Sequence, residues 1–175
     1  MADERAEGAS GLQGPAPARR RRRRWSHLRQ QEHRRATPAE RFYAALDLGT
    51  NNCRLLIAHP TQDSFHVVDA FSRIIRLGEG LSRTGRLADA AIERTLDALK
   101  VCALKLGRRK NLRARLIATE AARAAANGAE FIARVKDETG LSLEIVDRET
   151  EARLAAYGCA PLLDPGARGA ILFDI

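Results

Sequence analysis

Five short stretches of this chain carry residue types that could do chemistry. The first is Asp47-Leu48-Gly49-Thr50-Asn51-Asn52-Cys53-Arg54. An acid at the end of an apolar run can hold a metal or orient a water. A glycine two positions on lets backbone approach a phosphate, and Thr and Asn donors can grip its oxygens. Asp-x-Gly-Thr equally describes an ordinary hairpin turn. Asp174 repeats the setting, closing the apolar run Ala170-Ile171-Leu172-Phe173. Two such strands would supply two carboxylates to a cleft for a divalent metal and phosphate, although alone Asp174 is a strand-end acid.

The third stretch, Glu149-Thr150-Glu151-Ala152-Arg153, opens a helix. Acids in a first helical turn favour the macrodipole by about 0.3–1 kcal/mol, which accounts for Glu149. Glu151 either shares that role or faces the cleft as general base for a water. In the fourth, Ala118–Asn127, one arginine, Arg123, stands in a small-residue helix entered from a strand. It suits a bidentate phosphate contact or is a surface residue on an Ala-rich helix. The fifth, Arg76-Leu77-Gly78-Glu79-Gly80-Leu81, reads as a flap over the cleft or a sharp turn. His27, His33, His59 and His66 have no ligand-like spacing. Cys53 reads as a packed thiol, and neither a Ser-His-Asp arrangement nor a Walker loop is present.

The elements that must position these residues follow from periodicity. Phe42–Leu48, Cys53–Ala58 and Phe65–Ile75 read as strands, joined by links so short that they must pair as an antiparallel meander. Ile92, Leu96, Leu99, Ala103 and Leu106 fall on one face of a helix that Gly107 ends. Arg115–Ala118 reads as a strand, Thr119–Asn127 and Ala129–Thr139 as helices, Leu141–Val146 as a fifth strand and Glu149–Tyr157 as a helix. Gly169–Ile175 begins another strand. A core strand rarely closes a chain, so the sequence reads as truncated. A meander followed by strand–helix alternation implies an α/β fold, a mixed five-stranded sheet with flanking helices.

Composition sets the outer limits. The 175 residues include 30 Lys+Arg and 22 Asp+Glu, a net charge of +8, and residues 1–41 alone carry +6 of it. Those residues, with the Arg19–Arg24 run, contain too few hydrophobes to offset ordering costs of about 1–2 kcal/mol per residue. They read as a disordered tail, with a short helix across Ser26–Arg35 as an option, and residues 42–175 as the folded part. The tail is either simply solvated or an anchor for a polyanion, RNA or polyphosphate. No apolar run approaches the ~20 residues that span a bilayer. No apolar stretch follows the arginines as a secretion signal requires. The three cysteines, Cys53, Cys102 and Cys159, fit neither a disulfide framework nor a zinc site, so the expected compartment is the cytoplasm.

Taken together, DLGTNNCRL (47–55), RLGEGL (76–81), ATEAARAAAN (118–127), EIVDRETEAR (144–153) and LFDI (172–175) resemble the exopolyphosphatase / guanosine pentaphosphate phosphohydrolase family. The resemblance runs from about Tyr43 to Ile175. It implies the first lobe of the actin-like, sugar-kinase and heat-shock ATPase (ribonuclease H-like) fold. It further implies that Asp47, Gly49, Thr50, Asn51 and Arg54 form a phosphate loop, that Arg123 binds substrate phosphate, and that Glu151 is the catalytic base. Asp174 would open a second loop and share Mg2+ or another divalent cation with Asp47. The substrate implied is polyphosphate or guanosine pentaphosphate, with room for a homodimer in a full-length form. Asn52 stands where the family usually has a small hydroxyl residue. The second glycine-rich loop would follow Ile175, so the 175-residue chain is expected to be inactive alone. The alternatives are a kinase lobe of the same fold, a polyanion- or RNA-binding module working through Arg19–Arg24, and a functionless remnant reading frame.

Overall fold

The computed structural model describes residues 41–62, 64–164 and 166–172. The expected tail, apart from Arg41, and the metal position Asp174 lie outside the described residues.

Alternation builds the centre of the fold. In β1 (Phe42–Leu48), Ala44, Leu46 and Leu48 are buried on one face, which leaves Tyr43, Ala45 and Asp47 on the other. In β2 (Asn52–Pro60), Cys53, Leu55 and Ile57 join that buried face. β3 (Phe65–Ile74) completes the meander, antiparallel to β2 as β2 is to β1. A short helix α1 (Leu81–Thr84) and the long α2 (Asp89–Gly107) follow, and β4 (Leu112–Ala118) then pairs parallel to β1. After α3 (Glu120–Ala124) and α4 (Gly128–Thr139) come β5 (Glu144–Ile145) and α5 (Arg148–Cys159). The sheet order is β3-β2-β1-β4-β5, so β1 lies at its centre.

The core lies between the buried sheet face and two helices. Ile92, Leu96, Leu99, Cys102 and Leu106 of α2 and Phe131 and Val135 of α4 share one apolar cluster with Leu46, Leu48 and Leu55. Cys102 is fully buried, whereas Ala103, expected on the buried face, is only half-buried. Cys53 and Cys102 meet within this cluster, their sulfurs 3.9 Å apart. Cys53 is fully buried, and the hydrogen bond to Cys102 and burial both push its thiol up, as for a packed thiol.

Three elements are shorter than periodicity predicts. The helix expected over Thr119–Asn127 stops at Ala124 because the next residues are drawn toward Gly85–Leu87. Ala126 N–H donates to Gly85 O at 2.9 Å, and the Asn127 amide both accepts from Leu87 N–H (2.8 Å) and donates to Leu87 O (3.1 Å). The fifth strand contracts to two residues because only Ile117 and Ala118, at the end of β4, offer it partners. Leu141 and Leu143 still bury their side chains, which is why the sequence reads as a strand. Residues 169–172, the described part of the expected last strand, form none. A strand needs a ladder partner for its backbone groups, and none runs beside them among the described residues.

Candidate active site

The site assembles where β1 and β4 end. Thr119 N–H donates to Leu48 O at 3.1 Å and Val146 N–H to Ala118 O at 3.1 Å. These bonds extend the parallel ladder past the last strand residues, and so set the starts of α3 and α5 beside the β1–β2 turn. That turn is closed by Gly49 N–H donating to Asn52 O at 2.9 Å. Asp47 and Arg54 stand directly across from each other on β1 and β2, on the face opposite the core.

A cleft of about 420 Å³ opens there, lined by Asp47, Gly49, Thr50, Asn51, Asn52, Arg54, Thr119, Glu120 and Glu151. The phosphate-loop candidates and the candidate base thus share one cavity. Arg123 adjoins it through Glu151. Its Nη1 donates to Val146 O and, at 3.2 Å, to Glu151 Oε2, and its Nη2 donates to Glu151 Oε2 at 3.2 Å and to Glu120 Oε2. Among the described residues nothing donates to Glu151 Oε1. Asp147 fixes the start of α5 by accepting from Thr150 N–H at 2.7 Å, and that bond holds its carboxyl below the usual range. Glu149 is exposed and pairs with Arg153 at 2.7 Å, away from the cleft.

The segment after β3 is a fixed strap. Ile75 N–H and Arg76 N–H both donate to Asn51 O (2.8 and 3.1 Å), and Gly78 N–H donates to Thr50 O (3.0 Å). From α2, Arg94 donates to Ile75 O at 2.7 Å and to Glu79 Oε2 at 2.9 Å, fastening the strap behind the β1–β2 turn. Of the two readings of RLGEGL, the turn applies. A Cβ on Gly78 would sit 2.3 Å from Thr50 Cγ2, so this glycine leaves room for the Thr50 side chain as it stands. The Gly78→Ala variant should rotate Thr50, lose about 0.5–1.5 kcal/mol of stability and bind tripolyphosphate several-fold more weakly. Thermal melting and calorimetric titration read the two effects, and unaltered titration would refute the role of Thr50 in the phosphate grip.

Sequence reasoning missed Thr119, Glu120 and Arg148 as site residues. Glu120 had a signal: three residues before Arg123 on a helix, it lies within ion-pair reach. It is bonded by Arg148 (Nη2 to Oε1, 3.0 Å) as well as by Arg123, and the two arginines, Arg148 first, hold its carboxyl below the usual range. Asp47 and the oxygens of Thr50, Asn51 and Asn52 are hard donors. They fit Mg2+, which takes one or two carboxylates, keeps several waters and binds substrate phosphates. Among the described residues no group of three His, Cys, Asp or Glu side chains could hold a metal ion. Nor is any helix among them long and apolar enough to cross a membrane.

The fold is thus a mixed β3-β2-β1-β4-β5 sheet with flanking helices and a polar cleft beyond its central strand. The chain belongs to the Ppx/GppA phosphatase family, which it matches over residues 56–175. It is similar to the Aquifex aeolicus PPX-GPPA enzyme, at 36% identity and a TM-score of 0.67 over 73% of this chain and 42% of that one. An exopolyphosphatase from Cytophaga hutchinsonii is 28% identical, with a TM-score of 0.65 over 69% of this chain and 39% of that one. An exopolyphosphatase-like protein is 32% identical, with a TM-score of 0.65, covering 71% and 38% of the respective chains. The chain therefore spans about two fifths of the length of these relatives.

Proposed function

We propose that this lobe serves a phosphoanhydride hydrolase that removes the terminal phosphate of inorganic polyphosphate or guanosine pentaphosphate by water attack. The observation that carries the reading is the single cleft joining the Asp47–Arg54 hairpin to Glu151, with Arg123 bonded to that same carboxylate. Phosphoryl transfer needs charge neutralisation and in-line placement more than covalent help. In this reading the Gly49–Asn52 backbone and the Thr50 side chain receive phosphate oxygens, and Arg54 and Arg123 oppose their charge. Glu151 takes the proton of the attacking water through Oε1. Mg2+, held by Asp47 and the substrate, with Asp174 as its second protein carboxylate, would supply further charge neutralisation. The three cysteines are free thiols, which agrees with a cytoplasmic setting.

Titration of the chain with sodium tripolyphosphate and Mg2+ tests the reading. Arg123→Ala should weaken binding at least about tenfold, since it removes charge-assisted bonds and leaves Glu120 and Glu151 to repel the anion. Equal binding by both forms would overturn the site. Phosphate release from long-chain polyphosphate with no acceptor present separates a hydrolase from a kinase of the same fold.

A further inference from the structure

Both Nη nitrogens of Arg123 are engaged. Four hydrogen bonds leave its two Nη nitrogens, to Val146 O, Glu120 Oε2 and twice to Glu151 Oε2, matching the four N–H bonds those nitrogens carry. A phosphate can take the Nη atoms of Arg123 only by displacing one of these acceptors. Val146 O belongs to the backbone just before α5, and Glu151 is the less exposed of the two carboxylates, with 29% of its side chain exposed against 43% for Glu120. Glu120 is the acceptor with a second holder. Arg148 reaches it through Nη2 to Oε1 at 3.0 Å and Nε to Oε2 at 3.4 Å. The Arg148 side chain is 81% exposed and Glu120 43%, so this pair can move outward as a unit while Arg123, at 22%, stays put. Space exists beside it: a second cavity of about 410 Å³ is lined by Glu120, Arg123, Arg148 and Glu151.

We propose that Glu120 is a built-in carboxylate plug on the Arg123 guanidinium, and that Arg148 is the positioning residue that draws it aside when a phosphate anion arrives. The proposal rests on the functional reading above, in which Arg123 receives substrate phosphate. The exchange is one anion for another, with no bond made or broken. Glu120 thereby sets how strongly an anion must bind to enter. Weakly charged phosphates would be excluded relative to chains of several phosphates, whose charge competes best for the arginine.

The test is a double-mutant cycle on the full 175-residue chain, read by calorimetric titration with sodium tripolyphosphate and Mg2+. Glu120→Gln, which removes the competing charge, should bind about three- to fivefold tighter than the unmutated chain, the range expected of partly exposed ion pairs. Arg148→Ala, which leaves Glu120 wholly to Arg123, should bind about threefold more weakly. In the Glu120→Gln background the Arg148→Ala change should have no further effect, an epistasis that general loosening of α5 would not produce. If Arg148→Ala weakens binding equally in both backgrounds, Arg148 touches the anion directly and the positioning role fails. If Glu120→Gln leaves affinity unchanged while Arg123→Ala abolishes it, the plug is refuted and the functional reading survives. No binding by any form would refute both.

Discussion

Gly128→Ala should lower the melting temperature by several degrees, the largest loss expected from a single methyl group in this fold. A Cβ at Gly128 would lie 1.9 Å from the backbone oxygen of Ala122, a contact no real side chain makes. The obstacle is main chain, so no rotamer change relieves it, and α3 and α4 must separate. Overpacking of this kind costs about 1–3 kcal/mol, and for a domain of this size each kcal/mol corresponds to about 2–8 °C. The neighbours make evasion harder. Ala122 and Phe131 are buried, and Asn127, just before the glycine, is bonded to Leu87 through both ends of its amide. Since Arg123 follows Ala122, the same displacement should weaken tripolyphosphate binding. An unchanged melting curve would show that the α3–α4 junction yields freely and that close approach to Ala122 does not require a glycine at its tip.

Glu151→Gln should cost the most in function. In a form of the protein long enough to release phosphate from polyphosphate, turnover should fall by about 10²–10⁴-fold, the usual contribution of a positioned general base. Tripolyphosphate affinity should hold or rise slightly. The amide keeps the shape of the carboxylate and can still accept from Arg123, while one negative charge leaves a cleft that also holds Asp47 and Glu120. Parallel measurement of turnover and affinity checks the assignment. Losses of equal size in both would make Glu151 a structural partner of Arg123 and not the group that receives the proton. Gly78→Ala complements this experiment, because it perturbs the proposed phosphate grip through Thr50 and leaves the proposed base, Glu151, untouched.

Local pattern carried most of the scaffold. Alternation in Phe42–Leu48 and the 3-and-4 spacing from Ile92 to Leu106 mark the buried faces, since burying those side chains against a common core is what makes the segments a strand and a helix. The short links of the first three strands likewise left pairing order no freedom. Periodicity misled where long-range partners override it: Asn127 reaches back forty residues to Leu87 and cuts α3 short, and β5 is limited by where β4 stops. The site followed the same division. Asp47 and the glycine turn are visible as local chemistry, because one hairpin supplies them all. For Glu151 the helical pattern allowed two orientations, and the choice came from the bond between Val146 N–H and Ala118 O, which turns the start of α5 toward the cleft. Glu120, Arg148 and the strap that holds Thr50 belong wholly to folding in three dimensions. Their meaning depends on charges and backbone groups fifteen to thirty residues apart meeting at one sheet end, and no local propensity encodes such a meeting.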